Sequence, residues 1–188
     1  YVHDVWDKEQ LMAQDGYFPI TTVTGSGNPS YIDITGIPNT YAHLCLVGSM
    51  ASTRATVLEQ FELNFGSPTI DSGMNYQWQR AGFTNSTTVN AHRNATTANM
   101  YLLDSVGTSV SSLINGQVEC LIFGYADTSR YTNIWAKGGY AGITASHGSS
   151  KLWSGTWADT SEVSALRVTA GAGNFSTTSR LTLYGFKG

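Results

Sequence analysis

Charge is scarce in this chain. Asp, Glu, Lys and Arg make up 12% of its 188 residues, against an average of about 25% in globular proteins. The ten basic residues stand singly among thirteen acidic ones, whereas a nucleic-acid-binding surface needs clustered Lys and Arg. The longest apolar runs, such as 121–123, are far shorter than a bilayer span. We therefore expect neither nucleic-acid binding nor membrane insertion.

Cysteine is also rare. Cys45 and Cys120 are the two cysteines of the chain, and each lies inside a strand-like, mostly apolar run. Buried free thiols are favoured at such positions, while a disulfide between the two stays open. A chain of this length buries enough surface to fold without a covalent or metal cross-link.

Catalytic motifs are missing as well. The sequence contains no His-Glu-x-x-His, Cys-x-x-Cys, Gly-x-Ser-x-Gly or P-loop pattern. Its four histidines lie far apart, without the i, i+2 or i, i+4 spacing of metal ligands on one element. We expect no metal, no other cofactor and no enzymatic activity, with a depolymerising enzyme as a residual alternative.

Small polar residues and short alternating segments make up most of the chain. Its 20 Ser, 23 Thr and 20 Gly form about a third of the sequence. Short runs that alternate apolar and polar residues are separated by turn residues, which is typical of antiparallel β-structure. We predict an all-β fold, an antiparallel β-sandwich of jelly-roll type with nine or ten strands. The expected strands are 31–35, 43–50, 60–65, 74–80, 98–103, 117–125, 131–137, 163–169 and 179–186.

The N-terminal segment has a different pattern. Val2, Val5 and Trp6 follow helical spacing within a charged stretch. We predict a short helical or extended arm over residues 1–20 and a single β-sandwich domain over residues 21–188. An arm that carries an exposed Trp is suited to docking on a partner, so its candidate attachment residues are Val5, Trp6 and Leu11.

Aromatic residues offer the other candidate site. Trp153 and Trp157 are four positions apart on an extended segment, which places both rings on one face. Flat rings stack on sugars, but core or subunit packing is the favoured interpretation of such a pair. The candidate glycan-stacking residues are Trp153, Trp157, Tyr131 and Tyr140. Polar segments 84–97 and 138–150 are expected to be loops, and Tyr76, Trp78 and Trp135 are expected in the core.

Several segments together resemble a known family. Gly-Ile-Pro-Asn-Thr-Tyr-Ala-His-Leu at 36–44 is followed by Phe-Glu-Leu-Asn-Phe at 61–65 and by a Met-Asn-Tyr-Gln-Trp segment at 74–78. A Gly-Asn-Phe turn then leads into a closing Leu-Tyr-Gly strand within 173–186. In this order, the segments resemble a jelly-roll domain of tailed-bacteriophage virion structural proteins, at intervals over residues 30–186.

The resemblance implies a function without catalysis. Such domains occur in capsid decorations, head fibres and tail proteins, and they are commonly trimeric. We therefore expect a homotrimeric structural protein on the virion surface, assembled in the host bacterial cytoplasm and bound to other capsid or tail proteins. The alternative is a carbohydrate-binding adhesin module of a phage fibre or tail that recognises host surface polysaccharide.

Overall fold

The computed structural model describes residues 16–111, 113–142 and 147–187. This part of the chain is built from strands, turns and irregular segments, and all its strand pairs within sheets are antiparallel. The strands are β1 (Tyr17–Thr24), β2 (Tyr31–Thr35), β3 (His43–Met50), β4 (Glu59–Gly66), β5 (Tyr76–Thr84), β6 (Asn90–Thr97), β7 (Met100–Ser105), β8 (Gly116–Phe123), β9 (Thr132–Ala141), β10 (Gly148–Trp157), β11 (Ala165–Ala170) and β12 (Arg180–Phe186).

These strands form two sheets that pack as a sandwich. The larger sheet has eight strands in the order β1-β12-β3-β8-β9-β10-β5-β6, and the smaller has four in the order β2-β11-β4-β7. The all-β sandwich prediction is confirmed. Strands from the two ends of the chain pair side by side in both sheets, as in β1 with β12 and β2 with β11. A long antiparallel hairpin folded over on itself gives this jelly-roll-like order.

Two hairpins extend the larger sheet. Without β5, β6, β9 and β10, each sheet has four strands, in the orders β1-β12-β3-β8 and β2-β11-β4-β7. The hairpins β5–β6 and β9–β10 therefore add four strands to one edge of the larger sheet. They meet each other through the pairing of β10 with β5.

The core is formed by alternate residues of the strands, which are buried between the two sheets. In β10, for example, every second side chain from Ser149 to Trp157 is buried and faces the smaller sheet. Phe61 of β4 packs on Phe175 with ring centroids 5.0 Å apart, and both side chains are fully buried. Each large apolar side chain buried in this way stabilises the fold by about 1.5–3 kcal/mol relative to exposure.

The sandwich begins earlier than the sequence predicted. Strand β1 starts at Tyr17 and pairs with β12, so residues 17–20 belong to the domain and not to an arm. The candidate attachment residues Val5, Trp6 and Leu11 lie outside the described residues.

Two segments predicted as loops contain strands. Residues 84–97 include β6, which pairs with β5 at the edge of the larger sheet. Residues 138–150 include the end of β9 and the start of β10. Strand β6 was missed because an edge strand exposes both faces and needs few apolar residues, so its sequence lacks the alternating pattern.

Candidate functional site

The structure buries three of the four aromatic residues predicted to stack on glycans. Trp153 and Trp157 are each 2% exposed and Tyr140 is 7% exposed. The two tryptophans do share one face, but that face is the inner one, and Trp157 packs against Phe65 and Tyr76. Their assignment as sugar-stacking residues is wrong, because packed protein atoms already cover the rings. The structure supports the core alternative for this pair.

Of the other aromatic residues considered in the sequence, some are buried and others are exposed. Tyr131 is half exposed, just before β9. Tyr76 is buried and Trp78 is half-buried against the core, as predicted. Trp135 was expected in the core but is 41% exposed on the outer face of β9. It lies opposite Ser154 of β10, whereas its neighbour Ala136 lies opposite the buried Trp153.

Apolar side chains form a belt across the outer face of the larger sheet. Its exposed members are Tyr17, Val47, Trp135 and Leu152, which are 41–57% exposed. Half-buried side chains on the intervening strands connect them. We call this surface the outer-face belt: Tyr17, Val47, Leu121, Phe123, Trp135, Leu152, Tyr184 and Phe186.

The belt runs from β1 at one edge of the larger sheet to β10, across six of its eight strands. Cross-strand pairs place Tyr17 beside Phe186, Leu121 beside Trp135, and Leu152 beside Lys137. Lys137 forms a 2.9 Å ion pair with Glu119 on the same face. Several exposed apolar side chains on one sheet face are typical of a face that packs against another protein.

A second candidate site lies where the β5–β6 hairpin extends past the smaller sheet. The inner side of this hairpin and the nearby parts of β4 and β7 enclose a recess of about 290 Å³. We call it the β5–β6 cleft. Its principal lining residues are Glu62, Trp78, Arg80, His92, Asn94, Asn99 and Tyr101.

Aromatic rings and a guanidinium group organise the cleft. The ring of Trp78 lies 5.3 Å from that of His92 and 5.5 Å from that of Tyr101, measured between centroids. The guanidinium carbon of Arg80 lies 4.4 Å from the centre of the Tyr101 ring. Stacking on Tyr101 holds the cation in place, while Nε and Nη1 of Arg80 and Nε1 of Trp78 are buried without a hydrogen-bond partner.

An acidic group lies in the same cleft. Asn99 Nδ2 donates a 2.7 Å hydrogen bond to Oε2 of Glu62. Burial raises the pKa of Glu62, and the neighbouring carboxylate of Glu59 raises it further. The cleft therefore combines a cation, a carboxylate, amide groups and aromatic rings, a set able to bind a small molecule rich in hydroxyl groups.

Sequence reasoning missed this cleft. Trp78 and Arg80 lie in a predicted strand, but His92 and Asn94 lie in a segment that the sequence predicted to be a loop. The pairing of Arg80 with His92 and of Trp78 with Asn94 across β5 and β6 brings them together. The sequence feature that could have pointed to the cleft was the alternation of Trp78 and Arg80 with Gln77 and Gln79 along the predicted strand.

Comparisons with known proteins do not assign a family. No protein-family model matches the chain, and no curated protein matches it. Within residues 16–111, 113–142 and 147–187, no group of three His, Cys, Asp or Glu side chains is placed to hold a metal ion. The same residues include no helix long and apolar enough to cross a membrane.

Proposed function

We propose that this protein is a non-enzymatic structural component of a bacteriophage virion. In this proposal it is exposed on the virion surface as a capsid decoration, head fibre or tail-associated protein, and it assembles in the host bacterial cytoplasm. The segments within residues 30–186 that resemble phage virion domains motivate the proposal. The outer-face belt is the structural observation that supports it.

The outer-face belt is the kind of surface expected of a protein that packs against other subunits in an assembly. Trp135 and Leu152 expose about half of their side chains to solvent on the outer sheet face, and covering such apolar surface with another protein is favourable in free energy. Apart from the Lys137–Glu119 ion pair, few long charged side chains lie near it, so little side-chain entropy is lost on packing. A second copy of the chain is the proposed occupant, in a homotrimer.

The virion assignment is tested on phage particles purified from cultures of the virus that carries this sequence. Mass spectrometry of gradient-purified particles should find the chain in constant proportion to the major capsid protein. An antibody against the chain should label intact particles, since the proposal places it on the surface. A chain found in the cell lysate but absent from purified particles would refute the virion assignment.

The proposed trimer is tested separately by light scattering after size-exclusion chromatography. A trimer should have three times the chain mass of 20.2 kDa. Leu152→Asp, combined with Val47→Asp, should give monomers because it places charge in the outer-face belt. Met74→Asp is the matched control, since Met74 is an exposed apolar residue outside the belt. A wild-type chain that stays monomeric at high concentration excludes the trimer.

The N-terminal arm is the proposed attachment segment. Removing residues 1–16 leaves all twelve described strands intact and should leave the melting temperature unchanged. The shortened chain should no longer join particles, and Trp6→Ala in the full chain should weaken attachment in the same assay. Normal attachment of the shortened chain would show that the arm is not the attachment segment.

Carbohydrate recognition is the second candidate function, and the β5–β6 cleft supports it. The cleft lies between the added β5–β6 hairpin and strands β4 and β7. Its Trp78, Asn94 and Glu62 are residue types that bind sugars through ring stacking and hydrogen bonds. This proposal moves sugar binding from the buried Trp153 and Trp157 to a different set of residues. Host surface polysaccharide is the proposed ligand.

Binding to bacteria tests the adhesin proposal. Fluorescently labelled full chain should bind host cells saturably, and extracted surface polysaccharide should compete. His92→Ala and Asn94→Ala should each weaken binding at least several-fold, because both side chains line the cleft. Arg93→Ala is the matched control, since Arg93 lies on the opposite face of the same strand. Equal loss in all three variants, or no saturable binding, would exclude the cleft.

A further inference from the structure

A lysine and an aspartate meet in the interior between the two sheets. Lys151 lies on β10 of the larger sheet and Asp104 on β7 of the smaller sheet. Their side chains are 4% and 1% exposed, and Nζ of Lys151 is in direct contact with Oδ2 of Asp104. Lys and Asp are almost never this deeply buried unless they serve as partners.

The two carboxylate oxygens of Asp104 have different surroundings. Oδ2 accepts hydrogen bonds from Thr84 Oγ1 at 3.1 Å and from Ser149 Oγ at 3.0 Å, in addition to its contact with Lys151. Oδ1 is buried and has no hydrogen-bond partner. One oxygen is thus held in position and the other is not.

The amine is placed in surroundings that disfavour its charge. Nζ of Lys151 lies 5.4 Å from the centre of the Tyr101 ring, and the guanidinium of Arg80 lies over the same ring. Burial lowers the pKa of Lys151 and Arg80 lowers it too, against the opposing effect of Asp104. A lysine with a lowered pKa is more often a neutral amine, which is the nucleophilic form.

We propose that Lys151 and Asp104 condense into an intramolecular amide bond that joins the two sheets covalently. The reaction is a dehydration and needs no oxidant, reductant or cofactor. It removes a buried ion pair and replaces it with a neutral amide, so the desolvation cost of two charges disappears. The proposal concerns a covalent modification, and it does not depend on the virion or adhesin function.

The step balances in atoms and charge. A proton moves from the Lys151 ammonium to the Asp104 carboxylate, which gives a neutral amine and a carboxylic acid. The amine nitrogen attacks Cγ of Asp104, the new C–N bond forms, and a tetrahedral intermediate results. The proton from Lys151 is on Oδ2, the oxygen that Nζ contacts. The C–O bond to Oδ2 then breaks, and this oxygen leaves as water with the carboxylic proton and a second proton from nitrogen, while Oδ1 becomes the amide oxygen. The product is one amide and one water.

Neighbouring hydroxyl groups have roles in this step. The hydroxyls of Thr84 and Ser149 donate to Oδ2 and stabilise the charge that develops on this oxygen as its C–O bond breaks. Tyr101 Oη lies 3.4 Å from Nζ and is placed to relay the proton from nitrogen. Ser149 also lines an open groove of about 740 Å³, and we expect the released water to leave on this side.

Mass spectrometry of the purified full chain tests the proposal. The bond lowers the intact mass by one water, about 18 Da. Trypsin cannot cut after a lysine whose amine is acylated, so the digest should contain residues 138–167 uncut at Lys151 and joined to residues 94–130. Loss of water without this joined peptide would indicate dehydration elsewhere and would overturn the proposal, as would full mass with cleavage after Lys151.

Variants provide the matched controls. Lys151→Arg retains the charge but cannot form the amide, and Asp104→Ala removes the electrophile, so both should have full sequence mass and no joined peptide. Tyr101→Phe retains the ring and should slow the mass loss several-fold when unreacted chain, purified in denaturant from inclusion bodies, is refolded. Persistence of the mass loss in Lys151→Arg would contradict the proposal, and the wild-type digest decides the matter even where a variant fails to fold.

Discussion

The indole Nε1 of Trp157 donates a 2.7 Å hydrogen bond to Oδ2 of Asp71. This contact joins the end of β10 to the loop before β5. The same carboxylate accepts hydrogen bonds from Asn75 Nδ2 at 2.9 Å and from the backbone amide of Gly73 at 2.7 Å. One side chain therefore organises the loop that leads into the β5–β6 hairpin.

Asp71 should make stability depend on acid pH. Burial by itself raises the pKa of Asp71, but hydrogen bonds from Asn75, Trp157 and Gly73 outweigh it and hold the pKa below its usual value. A lowered carboxyl pKa stabilises the fold above the pKa of the unfolded chain, and this contribution is lost as the pH falls through the folded value.

Asp71→Asn should lower the free energy of unfolding by about 1 kcal/mol at neutral pH, because it weakens charge-assisted hydrogen bonds at a partly exposed site. Urea unfolding of wild type and variant at neutral and strongly acid pH checks this. The difference should shrink in acid, where the wild-type carboxyl is protonated. A constant difference at both values would show that the charge of Asp71 contributes nothing.

Trp153 and Trp135 should respond very differently to truncation. Trp153→Ala should cost about 3–5 kcal/mol of stability, because it leaves a cavity between the sheets. Trp135→Ala should change stability by about 0.5 kcal/mol or less, because that ring lies on the outer face. Urea unfolding of both variants measures this, with Leu152→Asp and Val47→Asp added to each so that a trimer contact of Trp135 does not contribute. Equal costs would contradict the placement of the two rings on opposite faces.

The two cysteines should be unreactive and unpaired in the native protein. Cys45 pairs with Leu121 on the outer face of the larger sheet, whereas Cys120 pairs with Leu46 on the inner face. Burial, followed by the carboxylate of Glu119, raises the pKa of Cys45 to about 11, and burial also raises that of Cys120. Few thiolates therefore form at neutral pH.

A thiol-reactive chromophore measures this. The native chain should react slowly, and the denatured chain should release two equivalents at once, one for each cysteine. Cys45→Ser and Cys120→Ser assign the two thiols. A non-reducing digest that joins the two cysteine peptides would contradict the assignment of free thiols.

Glu62→Gln should stabilise the protein at neutral pH. Since burial and then Glu59 raise the pKa of Glu62, the folded state disfavours its charge, and the cost is relieved as the pH falls below the folded pKa. The gain should be about 1 kcal/mol or less and should vanish in acid, as measured by urea unfolding. If the cleft binds sugar, Glu62→Gln should also weaken sugar binding. Residues of a binding site often lower the stability of the fold while they serve function.

The sequence by itself determined the class of fold. A strand repeats every two residues, so alternation in segments such as 31–35 and 43–50 is a local property that can be read before any partner is known. The same rule placed Trp153 and Trp157 on one face. The predicted sandwich is confirmed for this reason.

The tertiary structure alone decided which face lies inside and which groups meet. Alternation cannot tell that Trp153 faces the smaller sheet while Trp135, on the neighbouring strand, faces outward, because this depends on strand register and on the sheet that covers each face. It also cannot reveal β6, whose edge position requires few apolar residues, or the contact of Lys151 with Asp104. These depend on pairings between distant parts of the chain.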